Sequence, residues 1–349
     1  MASSHPTPSL PARPDGTLAS AALAPAGVDD CSAHLFPDVT IDSANPSEPL
    51  LTRRGVLHTK RGFSARREDA FNDLRGLKPS PEKHALYQEI RFYVEEEAEL
   101  ERRLQEFFIP QHGPTQFLSP RAFFQCALFN ARSRSVERQL NVELELPVVL
   151  GTPSIRYSGP ELRQSDGRVF LALMHMLRDV QAGTRVTLQP EPVCIALFGR
   201  YDGNSRKQLR IHIQRLQKGL ILTGKFSVQL CLAFDYPSRG PWRVALHPHI
   251  VDLFRLSPRV WLSMPLRLTL SEGLSTWLYA FIESQTRLIP MNITTLRELS
   301  GSDSGERAFV NSMRLALQEL TRRDIIEPGW SLRQGQVRWM KKRPSSTSD

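Results

Sequence analysis

Residues 199–246, GRYDGNSRKQLRIHIQRLQKGLILTGKFSVQLCLAFDYPSRGPWRVAL, decide how this chain folds. Gly199-Arg200-Tyr201-Asp202-Gly203 is turn-forming. Residues 204–218 then carry Leu209, Ile213 and Leu216, with Leu220 just beyond, at helical spacing. Two β segments follow, 221–234 and 242–246, joined by the turn-rich DYPSRGP at 235–241. Upstream, the pattern predicts a compact apolar helix over 191–198 and a strand over 185–188. A further helix is predicted over 166–181, with Val169, Leu173, Met176 and Val180 on one face. Helix, helix, turn, helix and hairpin is the order of a winged helix-turn-helix.

The same order returns at 270–343: helices over 271–285 and 292–299, the turn Ser300-Gly301-Ser302-Asp303, a long helix over 304–323, and a hairpin from Ile325-Ile326 to 337–340 that turns near Gln334-Gly335. The expected class is α+β, with two tandem winged-helix domains at 118–256 and 262–343. Ahead of them, residues 79–112 read as an amphipathic linking helix. Ser80-Pro81-Glu82 marks its start, and Leu86, Ile90, Tyr93, Leu100, Leu104 and Phe107 form a stripe interrupted by Glu97. Such a stripe packs on its own domain or pairs with another helix. Residues 1–50 hold eight prolines and no periodic apolar face, so 1–78 is expected to be a disordered tail, as is 344–349.

The chain has 349 residues with 45 Lys+Arg against 36 Asp+Glu, a net charge of +9. Residues 1–78 balance nine basic against nine acidic side chains, 79–107 carry a net −4, and 108–349 a net +13. Only eight of the basic residues are lysines, and arginine's planar fork suits phosphate and guanine edges. A basic body with an acidic collar suits a polyanion. Four scattered cysteines, with no CxxC pair, exclude a disulfide framework and point to a reducing compartment. The start MASSHPTPSLPARPDG has no secretory pattern, and no apolar run approaches membrane-spanning length. A cytoplasmic protein with no membrane partner is expected.

The polar sides of the two long helices are the candidate DNA contacts. In the first unit Arg206, Arg210, Gln214 and Gln217 lie opposite the leucines, with Lys207 and Lys218 beside them. In the second, Arg307, Asn311, Arg314, Gln318 and Arg322 form a polar stripe opposite Val310, Met313, Leu317 and Leu320. Arg pairs with guanine and Gln or Asn with adenine, while Lys supplies phosphate charge. The last hairpin carries Arg333, Arg338, Lys341, Lys342 and Arg343, expected to hold the backbone.

Five blocks, ALFNARSR (127–134), YSGPELR (157–163), FGRYDGN (198–204), LRIHIQRLQKG (209–219) and RELSGSDS (297–304), resemble the TrfA-type replication initiators of broad-host-range bacterial plasmids in content and order. The resemblance covers about residues 120–340. It implies two winged-helix domains that bind directly repeated origin sites (iterons) in double-stranded DNA and open nearby AT-rich DNA. It also implies recruitment of the host initiator and replicative helicase, with monomers active and dimers held inactive. Residues 1–117 lie outside it.

Other chemistry is sparse. Gly219 to Gly224-Lys225 has phosphate-loop spacing, but Phe226 stands where a Ser or Thr must hold magnesium. His247-Pro248-His249, with Tyr236 or Tyr279, is the only pattern that suggests a rolling-circle nicking enzyme. No catalytic constellation, cofactor or metal site is expected. Gln125, Leu128 and Phe129 in QCALF are similar to the peptide that binds the bacterial sliding clamp, and Gln229 to Phe234 resembles its longer variant. The rival to an initiator is a transcriptional regulator built on the same two DNA-binding units.

Overall fold

The computed structural model describes residues 35–37, 39–41, 51–147 and 154–342. The tail expected at 344–349, most of residues 1–50, and Arg343 lie outside the described residues. A short strand β1 (Thr40–Ile41) precedes helix α1 (Arg53–Leu74) and helix α2 (Pro81–Phe107). Helix α1 falls inside the stretch expected to be disordered, and that expectation is corrected. Val56 and Ala70 are buried and Phe63 half-buried, at seven-residue spacing, while Leu57 and Leu74 are half-buried off that register, with glycines at 55 and 62. So sparse a stripe is too weak to show on its own and is stabilised by its partner helix. Thr52 caps its start by accepting from the Gly55 N–H at 3.0 Å.

Helix α2 begins as the sequence predicts, with Ser80 accepting from the Lys83 N–H at 3.2 Å. It runs antiparallel to α1. Leu100 and Leu104 cluster with Val56 and Phe63, and the Tyr93 ring lies 6.0 Å from Phe63. Glu97 pairs with Arg67 at 3.2 Å, and Lys60 with Glu101 at 2.5 Å. The stripe on α2 is therefore filled by α1 of the same chain. Leu100 and Leu104 do not form the seam of a paired helix.

Next come β2 (Gln116–Pro120), a 3-10 turn (Arg121–Phe124), β3 (Phe129–Asn130), β4 (Val142–Leu146), β5 (Ile155–Gly159) and β6 (Leu162–Arg163). The first repeated unit follows: α3 (Gln164–Met176), β7 (Val186–Leu188), α4 (Pro190–Phe198) and α5 (Gly203–Lys218). Gly199 ends α4 in the left-handed region at φ 72°. Asp202 caps α5, accepting from the Ser205 N–H at 2.6 Å while the Ser205 hydroxyl accepts from the Asp202 N–H.

The run 221–234 is not one strand. It divides among β8 (Leu220–Leu222), β9 (Ser227–Gln229) and β10 (Ala233–Asp235), the last pairing with β11 (Trp242–Ala245). The Thr223 hydroxyl accepts from the Lys225 and Phe226 N–H groups and closes a turn that the apolar run conceals. β8 and β9 join a sheet ordered β4-β5-β8-β9, while β10 and β11 join one ordered β1-β7-β11-β10. The phosphate-loop spacing thus falls on a hairpin. A side chain at Gly219 would meet the Tyr157 ring at 2.9 Å.

Helix α6 (Leu253–Leu256), β12 (Arg259–Ser263) and α7 (Met264–Thr269) lead to the second unit. It contains α8 (Leu274–Ser284), β13 (Met291–Asn292), α9 (Ile293–Ser300), α10 (Glu306–Arg322), β14 (Ser331–Arg333) and β15 (Gln336–Arg338). Its sheet order is β13-β15-β14. Gln334 and Gly335 both have positive φ, 51° and 71°, as a two-residue hairpin turn demands.

The units are not separate beads. β12 pairs antiparallel with β2, the Trp277 indole donates to the Cys126 carbonyl at 3.3 Å, and the Ala131 N–H to the Ser300 carbonyl at 2.7 Å. A single apolar core runs from Phe36 to Trp339 through both. The boundary expected between 256 and 262 falls within this shared packing.

Candidate nucleic-acid interface

Capping and burial fix which side of each long helix faces outward. On α5, Leu209, Ile213 and Leu216 are fully buried, leaving Arg206, Lys207, Arg210, Gln214, Gln217 and Lys218 on or near the surface. The β10–β11 hairpin braces three of them. Arg206 donates to the Pro237 carbonyl at 2.9 Å and lies over the Trp242 ring at 5.4 Å. Arg210 lies over the Tyr236 ring at 5.3 Å, and Gln214 donates to the Tyr236 hydroxyl at 2.8 Å. Lys207 and Lys218 are exposed.

On α10, Phe309, Met313, Ala316, Leu317 and Leu320 are buried, and Arg307, Asn311, Arg314, Gln318 and Arg322 are all exposed. Their hydrogen bonds stay within the stripe: Arg314 donates to Asn311 at 3.0 Å, and Arg322 to the Gln318 carbonyl at 3.4 Å. Arg333 and Arg338 are exposed on the last hairpin. Lys341 and Lys342 are less free than their sequence position suggests. Lys341 pairs with Glu283 and Lys342 with Asp324, each at 2.6 Å.

Sequence reasoning missed the charged network that joins the units. Asp166, at the start of α3, is fully buried and accepts from Arg138 (2.7 Å), His212 (2.7 Å), Arg215 (3.2 Å) and the Arg163 N–H (2.8 Å). Burial opposes its charge, yet His212, Arg138 and the Arg163 N–H outweigh it and hold the carboxyl well below the usual range. Glu161 beside it accepts from Arg163 at 2.7 Å and from the Gln139 N–H at 2.9 Å. Burial pushes this group up as well, but these donors and Asn130 prevail and hold it at about 2. Arg132 spans the units, bonding Glu161 at 3.3 Å and Asp303 at 3.5 Å. A signal was present for part of it: Arg132, Glu161, Arg163 and Asp303 lie in the blocks 127–134, 157–163 and 297–304, whereas Asp166 and Arg138 lie in none of the five.

Burial removes both clamp-like peptides from the surface. Leu128 and Phe129 are 0% and 3% exposed, and Gly167 packs so closely on Phe129 that an added Cβ would lie 2.8 Å from its ring. Neither residue can enter a clamp pocket from the folded chain. Gln125 donates to the Ser284 carbonyl at 3.3 Å. The second peptide fails the same way, since Leu230 and Phe234 are buried. As for the histidine pair, His249 is bonded to Asp252 at 2.8 Å and stacks on Phe226. No group of three or more potential metal ligands occurs among the described residues. Among the same residues no helix is long and apolar enough to cross a membrane.

No protein-family model and no curated protein matches the chain. Among solved structures, a crystal structure of domain 2 and domain 3 of RctB is similar to it at 16% identity with a TM-score of 0.44, over 65% of this chain and 99% of that one.

Proposed function

We propose that this chain binds double-stranded DNA through two tandem winged-helix units and serves as a non-enzymatic plasmid replication initiator at directly repeated origin sites. The observation that carries the DNA-binding part is the twofold recurrence of one arrangement. Helix, strand, two helices and a hairpin appear as α3-β7-α4-α5-β10-β11, with β8 and β9 of a different sheet inserted after α5, and again without an insertion as α8-β13-α9-α10-β14-β15, with the hairpin's second strand central each time. In each copy the third helix turns an Arg-, Asn- or Gln-bearing face outward, and on α5 that face contacts the β10–β11 hairpin. Such a helix enters a major groove and its hairpin grips the adjacent backbone.

The replication part rests on the resemblance of the five blocks to TrfA-type initiators. With it come opening of AT-rich DNA, recruitment of the host initiator and helicase, and control by self-association. The sliding clamp is not among the proposed partners, and self-association is not assigned to α2.

Selection of duplexes from a randomised pool by the full chain, followed by a search of its parental replicon, tests this. Tandem direct repeats beside AT-rich DNA are expected, whereas a single promoter palindrome would make the protein a regulator. Binding should also weaken by about 10³–10⁵-fold between about 50 and 200 mM salt. A flat titration contradicts DNA binding altogether.

A further inference from the structure

The seam between the units opens into two adjoining cavities of about 660 and 580 Å³. Helix α5 contributes Asn204, Gln208 and Arg215 to the first, and α10 contributes Ser312, Leu315 and Arg322 to the second. Arg134, Arg163 and Glu272 line both. The cleft therefore lies between the two candidate reading helices.

Six guanidinium groups line the larger cavity: Arg134, Arg138, Arg163, Arg168, Arg200 and Arg215. Three are neutralised from below, Arg138 and Arg215 by Asp166 and Arg163 by Glu161. Arg200 faces Asp202 at 3.3 Å but is 64% exposed at its side chain. Arg134 and Arg168 share one carboxylate, Glu272, with Arg168 at 3.5 Å. The Arg168 Nε is buried without a hydrogen-bond partner. Near it sits Arg267, 1% exposed, whose Nε and Nη1 are also unpartnered. Burial first, then repulsion from Arg168, lowers its pKa to about 9. Arg134 and Arg168 thus share the single carboxylate of Glu272, with Arg267 adding positive charge behind Arg168, and an anion arriving from solvent relieves this excess of positive charge.

We propose that this cleft seats the DNA backbone that passes between the two reading helices, with its phosphates on Arg134, Arg168 and Arg200. The inference rests on the duplex-binding reading above. Two helices in successive major grooves straddle a stretch of backbone, and the arginine fork matches phosphate. Contacts of this kind fix register and carry no sequence information.

The test uses the full chain and a duplex it selects from a randomised pool. Arg134→Ala and Arg200→Ala, singly and together, are compared with Arg91→Ala on the outer face of α2, after thermal melting confirms that each is folded. The double variant should bind about tenfold more weakly near physiological salt, with a log–log salt slope shallower by about 2 and unchanged sequence preference. Neutral methylphosphonate linkages between the two protected regions should weaken the wild type and leave the double variant unaffected. An unchanged salt slope, or an equal methylphosphonate penalty for both proteins, overturns the proposal. So does stabilisation of the wild type, but not the double variant, by inorganic phosphate without DNA competition, which would make the cleft a small-anion site. If the full chain selects no sequence at all, the duplex-binding reading has failed rather than the cleft. If Arg307→Ala relaxes sequence preference while the cleft variants change nothing, the reading stands and the cleft assignment falls.

Discussion

The two long helices carry similar residues but hold them differently. On α5, Arg206, Arg210 and Gln214 are braced by Pro237, Trp242 and Tyr236 of the neighbouring hairpin. On α10, Arg307, Asn311, Arg314 and Gln318 stand exposed, bonded only within their own stripe. Bracing lowers the entropy lost when a side chain meets a ligand, and it also occupies donors that base reading needs. The first unit is further anchored by the buried Asp166 network, and among the described residues no comparable buried carboxylate lies in the second. If the chain binds DNA as proposed, this contrast gives positioning to the first unit and most base discrimination to the second.

The sharpest way to break this contrast is at Asp166. Asp166→Ala leaves Arg138, Arg215 and the Arg163 N–H without their shared acceptor and should destabilise the protein by about 3–5 kcal/mol, read by denaturant unfolding. A loss under about 1 kcal/mol would show that the network is not an anchor. Acid acts on the same groups. Both carboxyls sit below their unfolded values near 4, so their stabilisation is present above about pH 4 and is lost as pH falls toward about 2. Glu161→Gln should flatten that acid limb of the melting curve.

On the reading side, Arg307→Ala or Asn311→Ala should each cost about 1–3 kcal/mol on the selected site and relax discrimination. Arg210→Ala should weaken binding with little change in preference; the reverse pattern would exchange the roles of the two units. Tyr236→Phe removes only the hydroxyl that holds Gln214 and should change affinity by about 0.5–1.5 kcal/mol. Lys341→Ala should have the smallest effect. Its ammonium is already paired with Glu283, so DNA binding should shift by no more than about 1 kcal/mol.

Local chemistry was legible in the sequence where one element suffices. The Ser80 start of α2, the leucines of α5 and the Gln334-Gly335 turn are each visible within a few residues. Structure that depends on distant partners was not. Helix α1 carries Val56, Leu57, Phe63, Ala70, Phe71 and Leu74 with no continuous apolar face until α2 supplies a partner. The 221–234 run hides its Thr223 turn because every flanking residue suits a strand. Leu128 and Phe129 look like a docking peptide until Gly167 and the core close over them. The network of Arg132, Glu161 and Asp303 joins residues far apart in the chain, and each alone reads as surface charge. For the same reason the candidate contacts on α5 and α10 were visible and the arginine cleft between them was not.

In the proposed complex, one shared core holds two reading helices against successive major grooves. Methylation interference with the full chain on its selected duplex tests it most directly. The account predicts two interference patches in the major groove on one face, about 10 bp apart centre to centre, and loss of only the second-unit patch in Arg307→Ala. A single patch, or two patches that both persist in that variant, would contradict it.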